Sequence, residues 1–411
     1  MDGKKIREDF PIFSKRPDLV YFDNACTTLK PRQVIDAIVS YYSEYSACSG
    51  RSAHKMAREV DEKFEKAREK VARFVGAGKE EIVWTKNTTE AINLVANSFD
   101  FSGSKRKRVV MSNLEHHSAI LPFQKLSETN KIELEFVAVQ KDGTIHDEQW
   151  KNAIGKGNET ALVVVHHTNN SIGTRSNLRE IVRIAHDAGA LVLVDGAQGV
   201  PHSEVNFKRD GYDFLAFSAH KMLGPTGIGC LVGRKDLLEK LHPFMVGGGT
   251  IQDVKLSGST YLAPPQRFEA GIQHYAGAIG FGAAVDYLSK IGMKNVEMHE
   301  QALASRMHKA LSSINGVNIY GPEIRGLTFP KAHGHGALFS FNIKGAKPHE
   351  VALLLDKSNI AVRSGVFCAQ PAMESMGEKD GAVRVSLYVY NTEDEIKIFE
   401  EKLGKIAQLY K

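Results

Sequence analysis

The sequence predicts an α/β protein, with a mostly parallel, seven-stranded sheet in a large domain and a smaller α+β domain beside it. Short apolar runs rich in β-branched residues alternate with amphipathic helical patterns through the middle of the chain, which is typical of a parallel sheet covered by helices on both faces. The 411 residues exceed what one hydrophobic core usually accommodates. After about residue 290 the pattern changes to long helices and then to alternating strands.

The clearest unit of the large domain is one β–α–β crossover over residues 160–199. The strand TALVVVHH is followed by the helix SNLREIVRIAHDAG and the strand ALVLVDGAQG. Ser176 and Asn177 predict the start of that helix, and Gly189 predicts its end. Further strands are predicted for EEIVWTK, RVVMS, ELEFVAV, FLAFS and GIGCLVG.

We expect the large domain to span residues 20–290 and the small domain to combine residues 1–19 with 291–411. In the small domain, VEMHEQALASRMHKALSSI predicts a helix, and ALFSFNI and AVRVSLYVY predict strands. Thr392 and Glu395 form a capping-box pattern at the start of a last helix. The N-terminal segment is expected to pack on this domain.

Composition excludes several classes of protein. The chain is 42% hydrophobic and 25% charged with a net charge of +5, which argues against disorder and against a strongly basic nucleic-acid binder. We expect the basic run KRKR at 105–108 to be a solvated loop. No apolar run reaches the ~20 residues of a membrane span and no secretory leader is recognisable, so a cytoplasmic protein without nucleic-acid or membrane partners is expected. Four scattered cysteines predict neither a disulfide framework nor a metal site.

Polar residues follow the predicted strands where the strands end. Because the carboxyl ends of parallel strands open into one crevice, these residues should meet there, and a bound polar molecule would satisfy them. The sets are Asn87-Thr88-Thr89, Glu115-His116-His117, Asn169-Asn170, Asp195-Gly196-Ala197-Gln198 and Ser218-Ala219-His220-Lys221.

Three of these sets together predict a pyridoxal phosphate site. Thr88 and Thr89 begin a helix and predict a phosphate site, although plain helix capping would also explain them. Asp195 would lie deep in the crevice, where a protonated pyridine nitrogen suits a carboxylate. Lys221, among small residues in FSAHKMLGPTGIG, would lose its proton easily and attack a carbonyl; a loop-capping lysine is the alternative.

The chain resembles class V fold-type I pyridoxal-phosphate enzymes, and within them cysteine desulfurases of the SufS type and selenocysteine lyases. The motifs are YFDNACTTLKP, NTTEAINLVANS, LEHHSAILPF, VDGAQGVPH, FSAHKMLGPTGIG, RFEAG and AVRSGVFCAQP. The resemblance implies that Lys221 binds pyridoxal 5'-phosphate as a Schiff base and that Asp195 pairs with the ring nitrogen. It further implies ring contacts for Gln198 and His116, and phosphate contacts for Thr88, Thr89, Ser218 and His220.

The second domain contains the residues that discriminate within the family. Arg363 precedes Cys368 by five residues in IAVRSGVFCAQP, so a guanidinium can bind a substrate carboxylate while the thiol reaches its side chain. The alternatives are that Arg363 forms a surface ion pair and that Cys368 is a buried residue that only fills space in the core. The resemblance places a persulfide on Cys368 and the carboxylate clamp at Arg363, with Asn170 and Arg384 as helpers. Cys26, Cys48 and Cys230 lack such a setting.

The function implied is conversion of L-cysteine to L-alanine, with the sulfur passed to Cys368 for iron–sulfur cluster or other sulfur biosynthesis. In this scheme Lys221 moves the substrate's Cα proton and His116 assists, while His117 should face the other way. A selenocysteine lyase acting on L-selenocysteine, a class V aminotransferase and a non-catalytic scaffold remain alternatives. The resemblance also implies a homodimer and a sulfur-acceptor or scaffold protein.

The chain departs from the family pattern in two places. After RFEAG the family usually continues Thr-Pro-Asn, with the threonine reaching the phosphate of a partner subunit, whereas this chain has Ile272-Gln273-His274 and lacks that hydroxyl. The stretch ACSGRSAHKMA differs in spacing, so Arg51 and His54 are assigned only to the rim of the site. The glycines at 247–249 predict a mobile loop near the second subunit.

Overall fold

The computed structural model describes residues 2–48, 50, 52–101, 106–155, 159–322 and 334–410. Its helices are α1 Gly3–Arg7, α2 Pro11–Lys15, α3 Arg32–Glu44, α4 Lys55–Phe74, α5 Thr88–Ser98, α6 His117–Glu128, α7 Asp147–Gly155, α8 Leu178–Asp187, α9 Phe207–Asp210, α10 Lys235–Leu238, α11 Tyr275–Ile291, α12 Met293–Ser313, α13 Pro348–Asp356, α14 Gln370–Ser375 and α15 Glu393–Gln408. Short 3-10 helices cover Lys79–Glu81, Ala219–Lys221 and Gln266–Phe268.

The strands are β1 Val20–Tyr21, β2 Ile82–Thr85, β3 Arg108–Ser112, β4 Glu133–Val137, β5 Thr160–His166, β6 Leu191–Asp195, β7 Phe214–Ser218, β8 Gly229–Gly233, β9 Ile251–Lys255, β10 Gly258–Tyr261, β11 Val317–Tyr320, β12 Leu338–Ile343, β13 Ile360–Ala361, β14 Arg363–Gly365 and β15 Ala382–Ser386.

The central sheet confirms the predicted α/β fold. Seven strands lie in the order β2-β8-β7-β6-β5-β3-β4, and β8 runs in the opposite direction to the other six. Residues of β5 and β7 are buried throughout, as the continuous apolar runs predict for strands covered on both faces. The parallel strands therefore end at one edge, where their polar residues collect.

The crossover helix α8 begins and ends where the sequence predicted. Asn177 occupies the N-cap position, but its side chain donates to Asp147 (2.8 Å) instead of capping the helix. At the other end Gly189 has φ +69°, and its N–H donates to the His186 carbonyl (2.8 Å). A left-handed residue directly after a helix is the usual place for glycine, so the local prediction identified the stop correctly.

The second sheet has the order β11-β12-β15-β14 and is antiparallel. The predicted strand AVRVSLYVY ends at Ser386 and is therefore shorter than expected. The capping box of Thr392 and Glu395 is present at the start of α15. β1 pairs with β13, and the Phe10 ring lies 4.7 Å from that of Tyr390, so the N-terminal segment packs on this part of the chain.

The proposed domain boundary at residue 290 falls in the last turn of α11 and stays a prediction. One hydrophobic cluster contains residues from both sides of this boundary. In it, the ring of Phe10 lies 6.0 Å from that of Tyr287 in α11. The glycines at 247–249 lead into a two-stranded hairpin, β9 and β10, that was not predicted. Among the helices described, none is both long and apolar enough to cross a membrane.

Candidate active site

A cavity of about 450 Å³ opens at the carboxyl edge of the central sheet. Strand ends supply much of its wall, since Asp195 ends β6 and Ser218 ends β7. The cavity brings together every residue for which the sequence predicted a catalytic, cofactor-binding or substrate-binding role: Thr88, Thr89, His116, Asn170, Asp195, Gln198, Ser218, His220, Lys221, Arg363, Cys368 and Arg384. Their placement is observed, whereas their individual roles remain predictions.

The backbone before Lys221 is held by a segment from the start of the chain. The carbonyl of His220 accepts from the N–H of Thr28 (2.9 Å), the hydroxyls of Thr27 (3.1 Å) and Thr28 (3.0 Å), and Lys30 Nζ (3.0 Å). Thr28 Oγ1 in turn accepts the N–H of Leu223 (2.9 Å), which has φ +66°. These contacts explain the small residues around Lys221, because another stretch of backbone packs directly on the turn.

Gly224 completes that turn. A Cβ at this position would lie 2.8 Å from the Cβ of Ala219 and 2.9 Å from its carbonyl oxygen, which is too close for any larger residue without a shift. The glycine after the lysine is therefore required by packing within the loop itself.

Burial sets the protonation of Lys221 and Asp195. Removal from bulk water lowers the pKa of Lys221, and the nearby Asp195 carboxylate opposes this shift. Burial also raises the pKa of Asp195, while the Ala197 N–H, 2.9 Å from Oδ1, and the Lys221 ammonium oppose the rise. The cavity thus contains an amine that gives up its proton readily and a carboxylate that needs a cationic partner.

Hydroxyl groups cluster where α5 begins. Ser218 Oγ accepts the N–H of Thr88 (2.8 Å) and contacts Thr88 Oγ1 (2.7 Å). Thr89 Oγ1 contacts Ser118 Oγ (2.7 Å) at the start of α6. Asn87 is the N-cap of α5 and accepts the N–H of Glu90, so the threonines are not the cap and remain available to an anion at the positive end of the helix.

His116 is held as a neutral donor. Its Nδ1 accepts the N–H of Ser118 (3.0 Å), so the proton of the neutral ring lies on Nε2. Burial, and to a smaller extent the charges of Lys221, His117 and Arg384, lowers the pKa of His116 to about 3. His220 also has a pKa near 3, lowered by burial and by Lys221 and Lys30. Gln198 Nε2 donates to the Ala25 carbonyl (2.7 Å), which fixes its amide at the cavity wall.

The loop with Cys368 is docked onto the large sheet by three hydrogen bonds. The N–H of His117 donates to the Cys368 carbonyl (2.8 Å), the Gln370 N–H donates to His117 Nε2 (3.2 Å), and Asn170 Nδ2 donates to the Phe367 carbonyl (2.7 Å). Phe367 and Cys368 both have φ +54°, in the left-handed region that non-glycine residues rarely adopt. Tertiary contacts therefore impose this conformation, which leaves the Cys368 side chain exposed at the cavity.

The two arginines of the cavity, Arg363 and Arg384, differ in whether their guanidinium groups are available to bind a substrate. Arg384 is buried and is committed to the Asn170 carbonyl (2.7 Å) and to Asp23 Oδ1 (3.4 Å). Arg363 has a half-exposed side chain whose Nη1 lies 4.0 Å from Asp23 Oδ2. Arg363 is thus the arginine with donors free for a substrate carboxylate, and Asp23 holds Arg384 in place.

The cavity also contains residues that the sequence analysis missed. Cys26, expected to lack a reactive setting, lines the same cavity as Cys368. Strand-end reasoning missed it because it follows the two-residue strand β1, which pairs with β13 outside the central sheet. His166 also lines the cavity. The strand-end rule could have found it, since His166 is the last residue of β5.

Two rim predictions have different outcomes. His54 does not line the cavity; its Nδ1 accepts the N–H of Ala57 (3.2 Å) at the start of α4. Arg51 lies outside the described residues. His117, expected to point elsewhere, is indeed absent from the cavity wall but holds the Cys368 loop.

Comparison with known proteins identifies the class. The model of the class-V aminotransferase family matches residues 20–399, so the chain belongs to that family. Within it, a probable cysteine desulfurase of Halalkalibacterium halodurans is 40% identical over all of this chain and 99% of its own length. A cysteine desulfurase of Haloferax volcanii is 36% identical over all of this chain and 98% of its own length.

Solved structures agree with the sequence relatives. The apo structure of cysteine desulfurase from Thermococcus onnurineus matches with a TM-score of 0.92 and 39% identity, covering 98% of each chain. A crystal structure of the Escherichia coli cysteine desulfurase CsdA in an S-sulfonic acid form matches with a TM-score of 0.90 and 28% identity over the full length of both chains. Fold and sequence therefore point to the same branch of the family.

Proposed function

We propose that this protein is a pyridoxal-phosphate-dependent cysteine desulfurase that converts L-cysteine to L-alanine and takes up the sulfur as a persulfide on Cys368. One observation supports this most strongly: a single cavity has Lys221 and the buried Asp195 in its wall, together with the thiol of Cys368 on a loop from the second sheet. The relatives named cysteine desulfurase support the same reaction.

The chain's residues fit pyridoxal phosphate. Asp195 would pair with the ring nitrogen, His116 and Gln198 would contact the ring, and Thr88, Thr89, Ser218 and His220 would bind the phosphate at the start of α5. The volume of about 450 Å³ is that of an ordinary cofactor pocket. When bound, the cofactor supplies an electron sink for the charge that develops at the substrate's Cα.

Lys221 would transfer the Cα proton. Because burial lowers its pKa, the free amine needed as a base is more populated than for an exposed lysine. Arg363 would bind the substrate carboxylate, and Asn170 and Arg384 would assist Arg363 in binding the substrate. His116, with its proton on Nε2, is positioned as a donor beside the same site.

Cys368 would take the sulfur. A bond forms between its thiolate and the substrate sulfur as the substrate's Cβ–S bond breaks. The electron pair of that bond stays with the carbon skeleton, which takes up a proton and leaves as L-alanine. The cysteine sulfur thus ends on Cys368 without any external oxidant, ready for an acceptor or scaffold protein in iron–sulfur cluster or other sulfur biosynthesis.

Single substitutions test this reaction. Cys368→Ser should bind the cofactor like the wild type but release no sulfide or alanine from L-cysteine, whereas Lys221→Ala should lose turnover together with the lysine-dependent cofactor absorbance. Cys230→Ala is the matched thiol control and should retain activity, because Cys230 is buried in β8 and does not line the cavity. Alanine and sulfide are measured together after incubation with a thiol reductant.

The outcomes also separate the alternatives. Full turnover of L-cysteine by Cys368→Ser would overturn the persulfide step. Cleavage of L-selenocysteine but not L-cysteine by the wild type would assign a selenocysteine lyase. Formation of the keto acid and the amino form of the cofactor from amino donors would assign an aminotransferase.

We also propose a homodimer. The hairpin of β9 and β10 exposes Val254 and Leu256, and Ile272 after it is 74% exposed, so this region leaves apolar surface for a second copy to cover. A particle of twice the chain's mass by light scattering would support the dimer, and a monomer at micromolar concentration would contradict it. Placement in the cytoplasm stays a prediction.

A further inference from the structure

A buried pair of ionisable side chains lies behind Asp195, and the mechanism above does not use it. Glu115 is fully buried and His166 is 4% exposed. His166 Nδ1 lies 2.8 Å from Glu115 Oε1, which also accepts the hydroxyl of Ser112 (2.6 Å). Because a carboxylate only accepts hydrogen bonds, Nδ1 of His166 is protonated and donates a hydrogen bond to Glu115.

Each member of this pair has one atom without a partner. Glu115 Oε2 and His166 Nε2 are both buried, and neither has a hydrogen bond within the described part of the chain. An unpaired buried polar atom is costly, and most such atoms in folded proteins have partners. His166 also lines the cavity, so its Nε2 is the atom of the pair that can meet a group there.

Asp195 is the ionisable residue beside His166 on the next strand, although no hydrogen bond joins the two side chains in this structure. His166 and Asp195 are register partners on the adjacent parallel strands β5 and β6, so their side chains project on the same face of the sheet. The charged groups that act on Asp195 are Lys221, Glu115 and His166. Glu115, His166 and Asp195 therefore form a row that ends where the ring nitrogen of the cofactor would lie.

We propose that Glu115 and His166 are positioning residues for the cofactor: with a proton on each ring nitrogen, His166 donates from Nδ1 to Glu115 and, once the cofactor is bound, from Nε2 to Asp195, which keeps that carboxylate ionised for the ring nitrogen. The inference rests on the proposed function, because it assumes that Asp195 faces a pyridine ring. It assigns a role in cofactor binding to two residues that have no part in the proposed sulfur transfer.

Two variants of His166 separate this role from simple packing. His166→Gln can place a donor near the position of Nε2, whereas His166→Asn can place one only near Nδ1, where it preserves the contact with Glu115. Glu115→Gln keeps the shape and removes the charge. We expect His166→Asn and Glu115→Gln to weaken binding of pyridoxal phosphate to the apoprotein by about tenfold to a hundredfold, the weight of one charge-assisted hydrogen bond. We expect His166→Gln to stay within a few-fold of the wild type.

The decisive probe is the cofactor analogue in which the ring nitrogen is replaced by CH. Without that nitrogen, the Asp195 carboxylate has no ring group to pair with. The wild type and all three variants should therefore bind the analogue with similar affinity. Binding is followed by quenching of protein fluorescence, and thermal unfolding of each apoprotein checks its fold.

The outcomes are distinct. Selective loss of affinity for pyridoxal phosphate in His166→Asn and Glu115→Gln supports the proposal. Equal losses for both cofactors, or a loss in His166→Gln as large as in His166→Asn, would overturn it and leave the pair a packing role. Failure of the wild type to bind pyridoxal phosphate would instead contradict the proposed function itself.

Discussion

At the scale of single residues, burial rather than charge contact decides protonation in this cavity. The largest influence on Lys221, Asp195, His116 and His220 is removal from water, and neighbouring charges modify it. Burial favours the neutral form of each group, which suits a lysine that must act as a base and a histidine that must donate without being charged. A bound cofactor would enter a site already prepared for proton transfer.

His116 provides a direct test at this scale. Its pKa of about 3 lies below the ordinary value of 6.5, so the folded protein binds this proton less readily than the unfolded chain. The contribution of His116 to stability is therefore complete above about pH 6.5 and is lost as the pH falls towards 3. In NMR spectra of histidine-labelled apoprotein, the ring signals assigned by His116→Gln should stay constant from pH 8 to 5. A titration midpoint near 6.5 would contradict this expectation.

At the scale of elements, the Cys368 loop shows how two sheets build one site. The loop follows β14 of the second sheet, yet its hydrogen bonds go to His117 at the start of α6 and to Asn170 beyond β5. Two successive left-handed residues cost roughly 1–2 kcal/mol each, and these bonds offset that cost. The loop is therefore stable only while the two parts of the chain remain docked.

Substitutions of His117 test this docking. His117→Leu removes the acceptor for the Gln370 N–H, so hydrogen exchange of the loop peptide and alkylation of Cys368 should both become several-fold faster. His117→Gln supplies an acceptor oxygen and should restore slow exchange. Mass spectrometry of the peptide over residues 366–370 measures both effects. Equal exchange rates in the Leu variant and the wild type would show that this bond does not hold the loop.

At the scale of the whole molecule, buried ion pairs join distant stretches of chain. Arg68 of α4 forms a two-pronged pair with Glu269 at 2.7 and 2.9 Å, and both side chains are buried. Glu269 also accepts the N–H of Trp84 in β2 (2.8 Å). This pair fixes the segment that leads into α11, and with it the position of Ile272 and its neighbours.

Arg68→Met should lower the free energy of unfolding by about 3–5 kcal/mol, because it leaves the Glu269 carboxylate buried without its partner. Lys70→Met is the matched control, since Lys70 of the same helix pairs with Asp286 of α11 at the solvent-exposed surface, and this pair should contribute about 0–1 kcal/mol. Urea unfolding followed by circular dichroism compares the two. Similar losses in both variants would mean that burial does not distinguish these pairs.

The sequence by itself determined the features that depend on neighbouring residues. The bounds of β3 and β7, the glycine stop after α8 and the capping box of α15 follow from periodicity and local hydrogen bonding, and the structure reproduces them. The sequence also predicted that most of the cavity residues lie close together, because parallel strands end at one edge of a sheet. The family motifs supplied the roles proposed for them.

Only the tertiary structure decided which residues approach from elsewhere in the chain. The hydroxyl of Thr28 lies 192 residues before the carbonyl it contacts beside Lys221, and Asn170 holds a loop 197 residues away. Cys26 and His166 lie in the cavity wall for the same reason, and Asp23 lies beside two arginines. Sequence periodicity reports which face of an element is buried but not what covers it, because that choice depends on packing between segments far apart in the chain.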